Sequence, residues 1–428
     1  MSNESTRVTS LQTKVTHLAL LMVAVLTTAC VTPLSVRRHQ TVGLTDARAT
    51  TILSNFSNVV FTADTPNDFA CTTGFNNPPQ ITDMMPAIYP RSGAVGTYAA
   101  TANFNSAAAA TAILGTPGYV KVVNNISWCS QPGANIIGCS PTPGTSMAVV
   151  RWTAALEGIL WAHEFGHTVG LPHRNNVNAI MNPFIVPTAL EVTAGECVSF
   201  VSRAINNPFN TSGIVTGDPA PGMAEKELVF ERVHEFELAK GTDVVDFVHQ
   251  TYVHGTPTHL AARFEGTKNA QTLAAMLGDT REYEHAGNIV YTLGVIGSSR
   301  DVSHVTKWLD TEQSREADWT TVQRVNAGML ALAHLANRTG SPDAIDYLVK
   351  SALVSYRGKT NPEIEDALAD SAAVGLAMVG TKNSLVLLDQ VYSKNESVGR
   401  KTSPIPFEEL VDLNLDIQEL GIDGYYAP

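Results

Sequence analysis

The chain has 428 residues, enough for two or three domains of ordinary size, and 44% of them are hydrophobic, so it can bury a core and is not a disordered chain. Its 28 Lys and Arg residues stand against 40 Asp and Glu residues, which gives a net charge of −12. That balance argues against a nucleic-acid partner, which would need a basic face for its phosphates.

The first 29 residues have the layout of an export signal. Basic residues precede an apolar run over residues 18–26, and small residues stand directly before Cys30. Such a run spans about 14 Å as a helix, well short of the roughly 30 Å hydrocarbon core of a membrane, so a transmembrane anchor is not expected. The segment also resembles a bacterial lipoprotein signal, although Thr27 stands where that signal usually has leucine.

Cys30 determines the expected location. If residues 1–29 are removed and Cys30 is lipidated, the protein is attached to the bacterial cell envelope by its lipid anchor alone. We expect an outer-membrane lipoprotein that faces the periplasm or the surface. The alternative is a plain secreted protein that is cut near the same position.

The other four cysteines agree with export, because exported proteins use such residues as disulfides. Four cysteines allow three connectivities. We favour the pair Cys129–Cys139, because residues 131–133 supply a turn between them, and this choice leaves the pair Cys71–Cys197. Four buried thiols are the alternative.

Four segments are predicted after the signal. Residues 30–50 show no apolar period and are predicted to be a tether, and residues 51–206 are predicted to form one domain of mixed helix and strand. Turn-rich sequence over residues 207–223 predicts a linker. From residue 224 to residue 428, helical periodicity dominates and strand signals fade.

Local patterns predict the elements of the first domain. Short β-branched runs, each bounded by Gly, Pro or Asn, predict strands at residues 59–61, 119–123 and 147–150. An alanine-rich segment predicts a helix over residues 107–114. Residues 193–196 form a capping-box pattern, which predicts a helix that continues to about residue 204.

One segment carries most of the chemical information. Residues 163–173 read H-E-F-G-H-T-V-G-L-P-H, which is the motif H-E-x-x-H extended by x-x-G-x-x-H. The long form fixes five positions, so it arises by chance far less often than the short form. The alternatives are a helix with chance surface histidines, or an inactive relative that keeps zinc for structure. The presence of Glu164 argues against the second.

The spacing of the motif fits a metal site. Residues 152–168 are predicted to form a helix, on which His163 and His167 project from one face within reach of one ion. Gly170 lets the backbone turn sharply, with an expected positive φ, and this turn brings His173 back as the third ligand. Three neutral nitrogens and one water make the open tetrahedral site of a catalytic zinc ion.

The expected reaction is the hydrolysis of a peptide bond. Glu164 is one residue round the helix from His163, so its carboxylate reaches the water without taking a metal position. Zinc lowers the pKa of its bound water and polarises the scissile carbonyl. Glu164 then takes the proton of the attacking water and passes it to the leaving amine.

With this motif the sequence resembles the metzincin family of zinc endopeptidases, over about residues 55–206 and most sharply over residues 147–183. The family has a methionine-containing turn beneath the metal. Residues 179–183, which read A-I-M-N-P, fit that turn, with Met181 as an apolar floor under the imidazoles. An ordinary core methionine is the alternative. Pro183 stands where some metzincins have a tyrosine, so no tyrosine ligand is expected.

The resemblance implies a fold and a binding mode as well. It implies a twisted mixed sheet over the active-site helix, and an edge strand that pairs with an extended substrate, for which residues 119–123 are a candidate. It also implies that specificity depends on a pocket wall over about residues 174–190, where Phe184 and Ile185 are candidate lining residues.

The carboxy-terminal region contains three similar stretches, residues 289–302, 331–344 and 373–385, at a period near 40. This pattern weakly resembles HEAT-type helical repeats, and an ordinary helical bundle is the alternative. Residues 221–428 hold 18 basic and 30 acidic residues, which accounts for the whole negative charge of the chain. The acidic surface is either a solvated helical face or a docking surface for a basic partner.

Three further histidines, His249, His254 and His259, recur at intervals of five residues. Successive side chains at this spacing lie about 140° apart on a helix, so the three cannot share one face. They are predicted to be solvated or lightly packed, and no site is assigned to them.

Together these observations predict an exported zinc metalloendopeptidase that acts on a peptide or protein. The expected architecture is an α+β metzincin-like catalytic domain followed by an all-α, HEAT-like domain. One zinc ion is expected on His163, His167 and His173, with Glu164 as general base and acid. The alternative is an envelope scaffold or binding protein that acts through its helical domain, with a vestigial or self-processing zinc domain.

Overall fold

The computed structural model describes residues 34–62, 95–99, 101–193, 195–196, 199–200, 230, 238–315, 318–353, 361–397 and 405–427. Across these residues the fold is α+β, with a mixed sheet and many helices. Cys30, the predicted pair Cys71–Cys197 and the predicted linker over residues 207–223 lie outside the described residues.

The described strands form two sheets. In chain order they are β1 (Val36–His39), β2 (Gly96–Tyr98), β3 (Asn103–Phe104), β4 (Val120–Val123), β5 (Asn125–Trp128), β6 (Pro132–Ile136), β7 (Gly138–Cys139) and β8 (Met147–Val150). The larger sheet has the order β2-β1-β4-β8-β7, with β7 antiparallel to β8 and the other neighbours parallel. The smaller sheet has the order β3-β5-β6.

The described α-helices lie partly around these sheets and partly in a helical region that follows them. They are α1 (Asp46–Thr62), α2 (Ala107–Leu114), α3 (Glu157–Thr168), α4 (Val244–Val248), α5 (Thr258–Ala261), α6 (Thr267–Leu277), α7 (Ala286–Ile296), α8 (Val302–Gln313), α9 (Trp319–Thr339), α10 (Pro342–Ala352), α11 (Pro362–Met378), α12 (Lys382–Ser397) and α13 (Phe407–Tyr425). Helix α3 packs against α1 and against β8 of the larger sheet, and all of its residues are buried.

The predicted tether is wrong for residues 34–50. Strand β1 pairs with β2 on one side and β4 on the other, and α1 begins at Asp46. The sequence V-R-R-H of β1 hides this role, because Arg37 and Arg38 are half-buried and interrupt any apolar run. The hydrophobic core of the sheet region therefore begins at Leu34, well before residue 51.

Other local predictions have mixed outcomes. The predicted helix over residues 107–114 is confirmed as α2, and β4 and β8 confirm two predicted strands. The predicted strand over residues 59–61 is wrong, because these residues continue α1. The capping box is confirmed, since the Thr193 amide donates to Glu196 and the Glu196 amide donates to Thr193 Oγ1.

The candidate for a substrate-pairing edge strand, residues 119–123, is also wrong. Strand β4 lies between β1 and β8, so both of its sides are already paired. Its four residues are buried because the sheet is covered on both faces there. The edge next to α3 is β7, a two-residue strand that is too short to stand out in the sequence.

Helix α3 begins at Glu157 rather than at residue 152. The buried Glu157 carboxylate accepts hydrogen bonds from the Trp152 amide at 3.2 Å and from Arg151 Nε at 2.6 Å, and it also pairs with Arg48. An anion at this end of a helix is favourable because the amide groups and the helix dipole face it. The ion pairs therefore fix the start of the helix that carries the motif.

The helical region consists of stacked helix pairs. Helices α8, α10 and α12 begin at Val302, Pro342 and Lys382, forty residues apart each time. Helices α7, α9, α11 and α13 pack against one another in that order. Gly294 allows a close approach, because a Cβ there would lie 2.3 Å from the Ala331 Cα. The arrangement agrees with the period of about 40 residues in the sequence.

This helical region has its own hydrophobic core and rests on the smaller sheet. Helix α9 packs against β5 and β6, and Asn326 donates to the Gly133 carbonyl at 3.0 Å. The Glu409 carboxylate accepts the amides of Ala107 and Ala108 at the start of α2. Within the described residues, no helix is both long and apolar enough to cross a membrane.

Candidate metal centre

Helix α3 carries the first two histidines of the motif, and both are buried. His163 Nδ1 lies 2.8 Å from the Ile180 carbonyl oxygen, and His167 Nδ1 lies 3.0 Å from the Leu171 carbonyl oxygen. A carbonyl oxygen can only accept, so each Nδ1 carries a proton, and Nε2 is the nitrogen that each ring can offer to a metal ion. In metal sites, such a hydrogen bond from the ring nitrogen that does not bind the metal fixes the orientation of the imidazole.

The turn after α3 brings in the third histidine, as the sequence predicted. Gly170 has a φ of +88°, which confirms the expected positive value. The ring of His173 lies 5.2 Å from that of His163 and 4.7 Å from that of His167, measured between centroids. The long motif therefore folds into one compact group of imidazoles.

A fourth histidine, which lies outside the motif, completes this group. His254 Nε2 lies 3.3 Å from His163 Nε2 and 3.1 Å from His167 Nε2, and the last two nitrogens are 3.1 Å apart. Zn–N bonds of about 2.0–2.1 Å in a tetrahedron place the nitrogens about 3.3–3.4 Å apart. Lone pairs held this close repel one another unless a cation lies between them.

The prediction that His254 is solvated or lightly packed is therefore wrong. Its side chain is 7% exposed, whereas His249 is 36% exposed and pairs with Glu282 at 2.7 Å. The five-residue spacing places the three histidines on different faces only if these residues are helical, but residues 252 and 254 form bridges with two other main-chain segments and are not helical. The sequence T-Y-V-H-G-T, with β-branched and aromatic residues before a glycine, could have indicated a strand-like segment.

Burial and the three neighbouring histidines hold the pKa of His254 well below its usual range, and a hydrogen bond with the Gly138 backbone opposes this shift. The imidazole is therefore neutral, which is the form that binds a metal ion. The four side chains His163, His167, His173 and His254 could bind one metal ion, since their ligand atoms all lie within 4.8 Å of one another. Elsewhere in the described residues, no comparable group of three or more such side chains forms.

Glu164 lies beside the four histidines and is fully buried. Ser140 Oγ donates to Glu164 Oε2 at 2.6 Å, while Oε1 lies 3.8 Å from His254 Nε2 and receives no hydrogen bond from the described residues. Burial raises the pKa of Glu164 to about 7, although His167 and the Ser140 hydroxyl lower it in part. No motif in the sequence marks Ser140, which the end of β7 brings to Glu164.

Gly138, in strand β7, leaves the space that this carboxyl fills. A Cβ on Gly138 would lie 2.3 Å from Glu164 Oε1. The edge strand can therefore pass directly over the carboxyl only because residue 138 has no side chain. The orphaned oxygen and the histidine nitrogens together suit a cation with one water, so the residues fit a zinc ion.

Met181 packs under the motif helix. A Cβ on Gly166 would lie 2.2 Å from Met181 Sδ, so the thioether occupies the space that this glycine leaves between His163 and His167. Met181 is fully buried, and its neighbour Ile180 holds His163. The turn at residues 179–183 therefore contacts the group of histidines from below.

The predicted Cys129–Cys139 disulfide is present. It joins the end of β5 to the edge strand β7, and Cys129 Sγ lies 3.7 Å from His254 Nδ1. The disulfide thus braces the part of the chain that contacts the fourth histidine. The predicted wall residues Phe184 and Ile185 also lie near this histidine, since both pair with residues 251–252.

Comparisons with protein-family models, with curated proteins and with solved structures each find no match for this chain.

Proposed function

We propose that this chain is a zinc-dependent metalloendopeptidase with a metzincin-like catalytic domain. The observation that carries the proposal is the position of Glu164, whose Oε1 receives no hydrogen bond from the described residues and lies beside a tight group of four histidines. Three of those histidines come from one long motif, and Met181 packs beneath them. A buried carboxyl next to a metal site is the arrangement that hydrolysis by activated water requires.

Each residue has a defined task in this proposal. His163, His167 and His173 hold zinc, which when bound supplies Lewis-acid polarisation of a peptide carbonyl and of water. Glu164 Oε1 accepts a proton from the attacking water and returns it to the leaving amine nitrogen as the peptide bond breaks. The Ser140 hydroxyl holds Oε2 and leaves Oε1 for the proton transfer. Ser140 is a positioning residue.

We further propose that the protein is exported and held at the bacterial envelope through a lipid on Cys30, or else secreted. The support is the pattern of residues 1–30 together with the Cys129–Cys139 disulfide, since disulfides persist in oxidising compartments. The helical region, proposed to be HEAT-like, would then position the peptidase on a partner or substrate through its acidic surface.

One observation favours a second function. Four protein ligands around zinc are typical of structural sites, and His254 supplies a fourth. In that case the protein is an envelope scaffold or binding protein that acts through its helical region, and the zinc domain is vestigial or only self-processing.

The test compares native protein with Glu164→Gln, each loaded with zinc and incubated with a reduced and alkylated protein substrate. We expect both proteins to retain zinc and cleavage to fall by at least about 100-fold in the variant, because general-base catalysis is lost. The control is Glu265→Gln, a substitution of an exposed glutamate in the helical region.

The outcomes separate the two functions. Measurable and equal cleavage by native protein and Glu164→Gln would contradict the role of Glu164. Failure of the folded native protein to bind zinc would contradict the site itself. Zinc binding without cleavage, in the native protein and also after replacement of His254, would support the scaffold.

A further inference from the structure

Residues 251–256, here called the capping strand, occupy the cleft beside the metal centre. On one side, the Val253 carbonyl accepts the amides of Ile137 at 2.9 Å and Gly138 at 3.2 Å. On the other side, the Val253 amide donates to the Pro183 carbonyl at 2.9 Å. The capping strand is therefore hydrogen-bonded through its main chain on both sides.

These contacts are those of a bound extended peptide. Strand β7 is the edge of the larger sheet, and an open edge presents main-chain groups that an extended peptide can pair with. The capping strand forms antiparallel bridges with Ile136, the last residue of β6 just before β7, through His254, and with Phe184 through Tyr252. It lies between the edge strand and the turn that follows Met181, so a peptide substrate would need the same space.

The capping strand also supplies an imidazole to the metal centre. His254 Nε2 is 3.1–3.3 Å from two Nε2 atoms of the motif histidines, and its ring is 5.0 Å from that of His173. A ligand here would take the fourth coordination position, which a catalytic zinc site leaves open for water or substrate.

We propose that the capping strand is an inhibitory segment of this chain: it fills the peptide-binding cleft and places His254 as the fourth metal ligand, so the folded protein is a latent peptidase. This inference rests on the proposed peptidase function. It also defines the substrate as an extended peptide that pairs with residues 136–138 on one side and residues 183–185 on the other.

Glu164 distinguishes a removable ligand from a permanent one. A closed site of four histidines has no use for a carboxyl, yet Glu164 is fully buried with one oxygen that receives no hydrogen bond from the described residues. Burial of such a group without a partner costs stability. Gly138, which makes room for it, would also be unnecessary in a purely structural site.

The attachment of His254 to the fold also indicates a removable ligand. His163, His167 and His173 belong to α3 and the turn after it, and the Nδ1 atoms of the first two are held by carbonyls of the same region. His254 belongs to an extended segment that is held by main-chain hydrogen bonds. The capping strand also buries Val253 in the core of the sheet region, so its departure opens that core locally, while the other three ligands and Glu164 stay on α3 and the turn after it.

The first experiment measures metal release from the full chain. Native protein, His254→Ala and the control His249→Ala are loaded with zinc and mixed with a chromophoric chelator. We expect zinc release from His254→Ala to be at least about tenfold faster than from native protein. Loss of a ligand should have a larger effect than loss of a residue that only hydrogen-bonds to a ligand. His249→Ala should release zinc at the native rate. Equal rates for all three proteins would overturn the assignment of His254 as a ligand.

The second experiment measures cleavage of a reduced and alkylated protein. We expect His254→Ala to cleave it at least about tenfold faster than native protein, because loss of the bond to the metal weakens the attachment of the capping strand, and a substrate can then compete for its main-chain partners in the cleft. The double variant His254→Ala/Glu164→Gln should be inactive. A native protein as active as His254→Ala would overturn latency and leave the peptidase function standing. Faster zinc release with no cleavage by His254→Ala would overturn both latency and the peptidase function.

Two further measurements keep the proposal testable if His254→Ala folds poorly. The variant His254→Asn keeps a polar side chain of similar size and should behave like His254→Ala in both experiments. A synthetic peptide of residues 249–258 should inhibit the opened variants, whereas the same peptide with alanine at position 254 should inhibit at least about tenfold less. Equal inhibition by the two peptides would overturn the role of the imidazole.

Discussion

Helix α3 and the capping strand supply imidazoles to the same metal centre in different ways. His163 and His167 are one helical turn apart, so local geometry alone brings them together. His254 is 81 residues beyond His173 in the chain and reaches the site through strand pairing with two distant segments. The comparison shows that one part of the site is built by a helix, whereas the other depends on tertiary contacts.

This difference also separates the permanent ligands on α3 from the removable ligand His254. Within α3, replacement of a ligand damages a framework that holds Glu164 and contacts Met181. In the capping strand, replacement of His254 affects one ligand and a few main-chain contacts. Substitutions in the two regions should therefore differ in size and in kind.

The largest expected effect is on zinc affinity, and it compares the two regions directly. His167→Ala should weaken zinc binding by more than about 100-fold, because it removes a ligand on the helix. Residues that only hydrogen-bond to a ligand already contribute roughly 10–100-fold. His254→Ala should weaken it by about tenfold, because the three-histidine site remains. Competition titration with a chromophoric chelator measures both, with His249→Ala as the control. Equal losses from His167→Ala and His254→Ala would show that the fourth ligand is integral to the site.

A second prediction concerns the floor of the helix-borne site. Met181→Ala should lower the free energy of unfolding by about 2–5 kcal/mol, because it leaves a cavity under α3. Gly166→Ala should lower it by about 1–3 kcal/mol, because a Cβ there meets Met181 Sδ. The double variant should lose less than the sum, since each change relieves the other.

Urea denaturation of the full chain measures these changes. The matched control is Gly424→Ala in α13, where a Cβ would meet its nearest neighbour at an ordinary 3.5 Å. This change should leave the unfolding midpoint unchanged or raise it, because alanine favours a helix over glycine. Strict additivity of Gly166→Ala and Met181→Ala would contradict a direct contact between the two sites.

The same contrast explains what could be predicted from the sequence. The motif, the turn at Gly170, the helix over residues 107–114 and the Cys129–Cys139 pair depend on short spacings, and each was found. The role of β1 was missed because half-buried arginines interrupt its apolar pattern. The edge position of β7 was missed because it depends on the order of strands, which a single run of residues does not encode.

His254 and Ser140 show the same limit within the site. Both reach Glu164 or its neighbours through pairing between segments that are far apart in the chain. A spacing rule for helices does not hold across residues 249–259, because residues 251–256 are not helical. Helical spacing therefore excluded that the three histidines share one face of a helix. It could not exclude that one of them, His254, joins the metal centre.

A third prediction tests the brace on the side of the capping strand. Replacement of both cysteines, Cys129→Ala with Cys139→Ala, should lower the free energy of unfolding by about 2–3 kcal/mol, because the short loop gains freedom in the unfolded chain. It should also speed zinc release, since Cys129 Sγ contacts His254 Nδ1. Urea denaturation and chelator competition measure the two effects. A lower stability with an unchanged rate of zinc release would show that the disulfide stabilises the fold without holding His254.

The smallest expected effect compares the metal centre with a buried histidine of the helical region. His334 in α9 is fully buried beside Tyr291 and Tyr426, and burial, aided by Arg338, lowers its pKa to about 3. Between that pKa and the ordinary value of 6.5, the unfolded chain binds the extra proton and the folded chain does not. Stability is therefore lost as the pH falls below 6.5, by about 2 kcal/mol at pH 5.

Zinc distinguishes the two kinds of buried histidine. A bound ion would keep the four imidazoles of the metal centre neutral by coordination, whereas His334 is kept neutral by burial and by Arg338. In zinc-loaded protein, His334→Gln should reduce the loss of stability between pH 7 and pH 5 by about 2 kcal/mol, as urea denaturation at each pH would show. An unchanged pH dependence in this variant would mean that His334 is protonated in the folded chain, and that acid acts on stability through the metal centre instead.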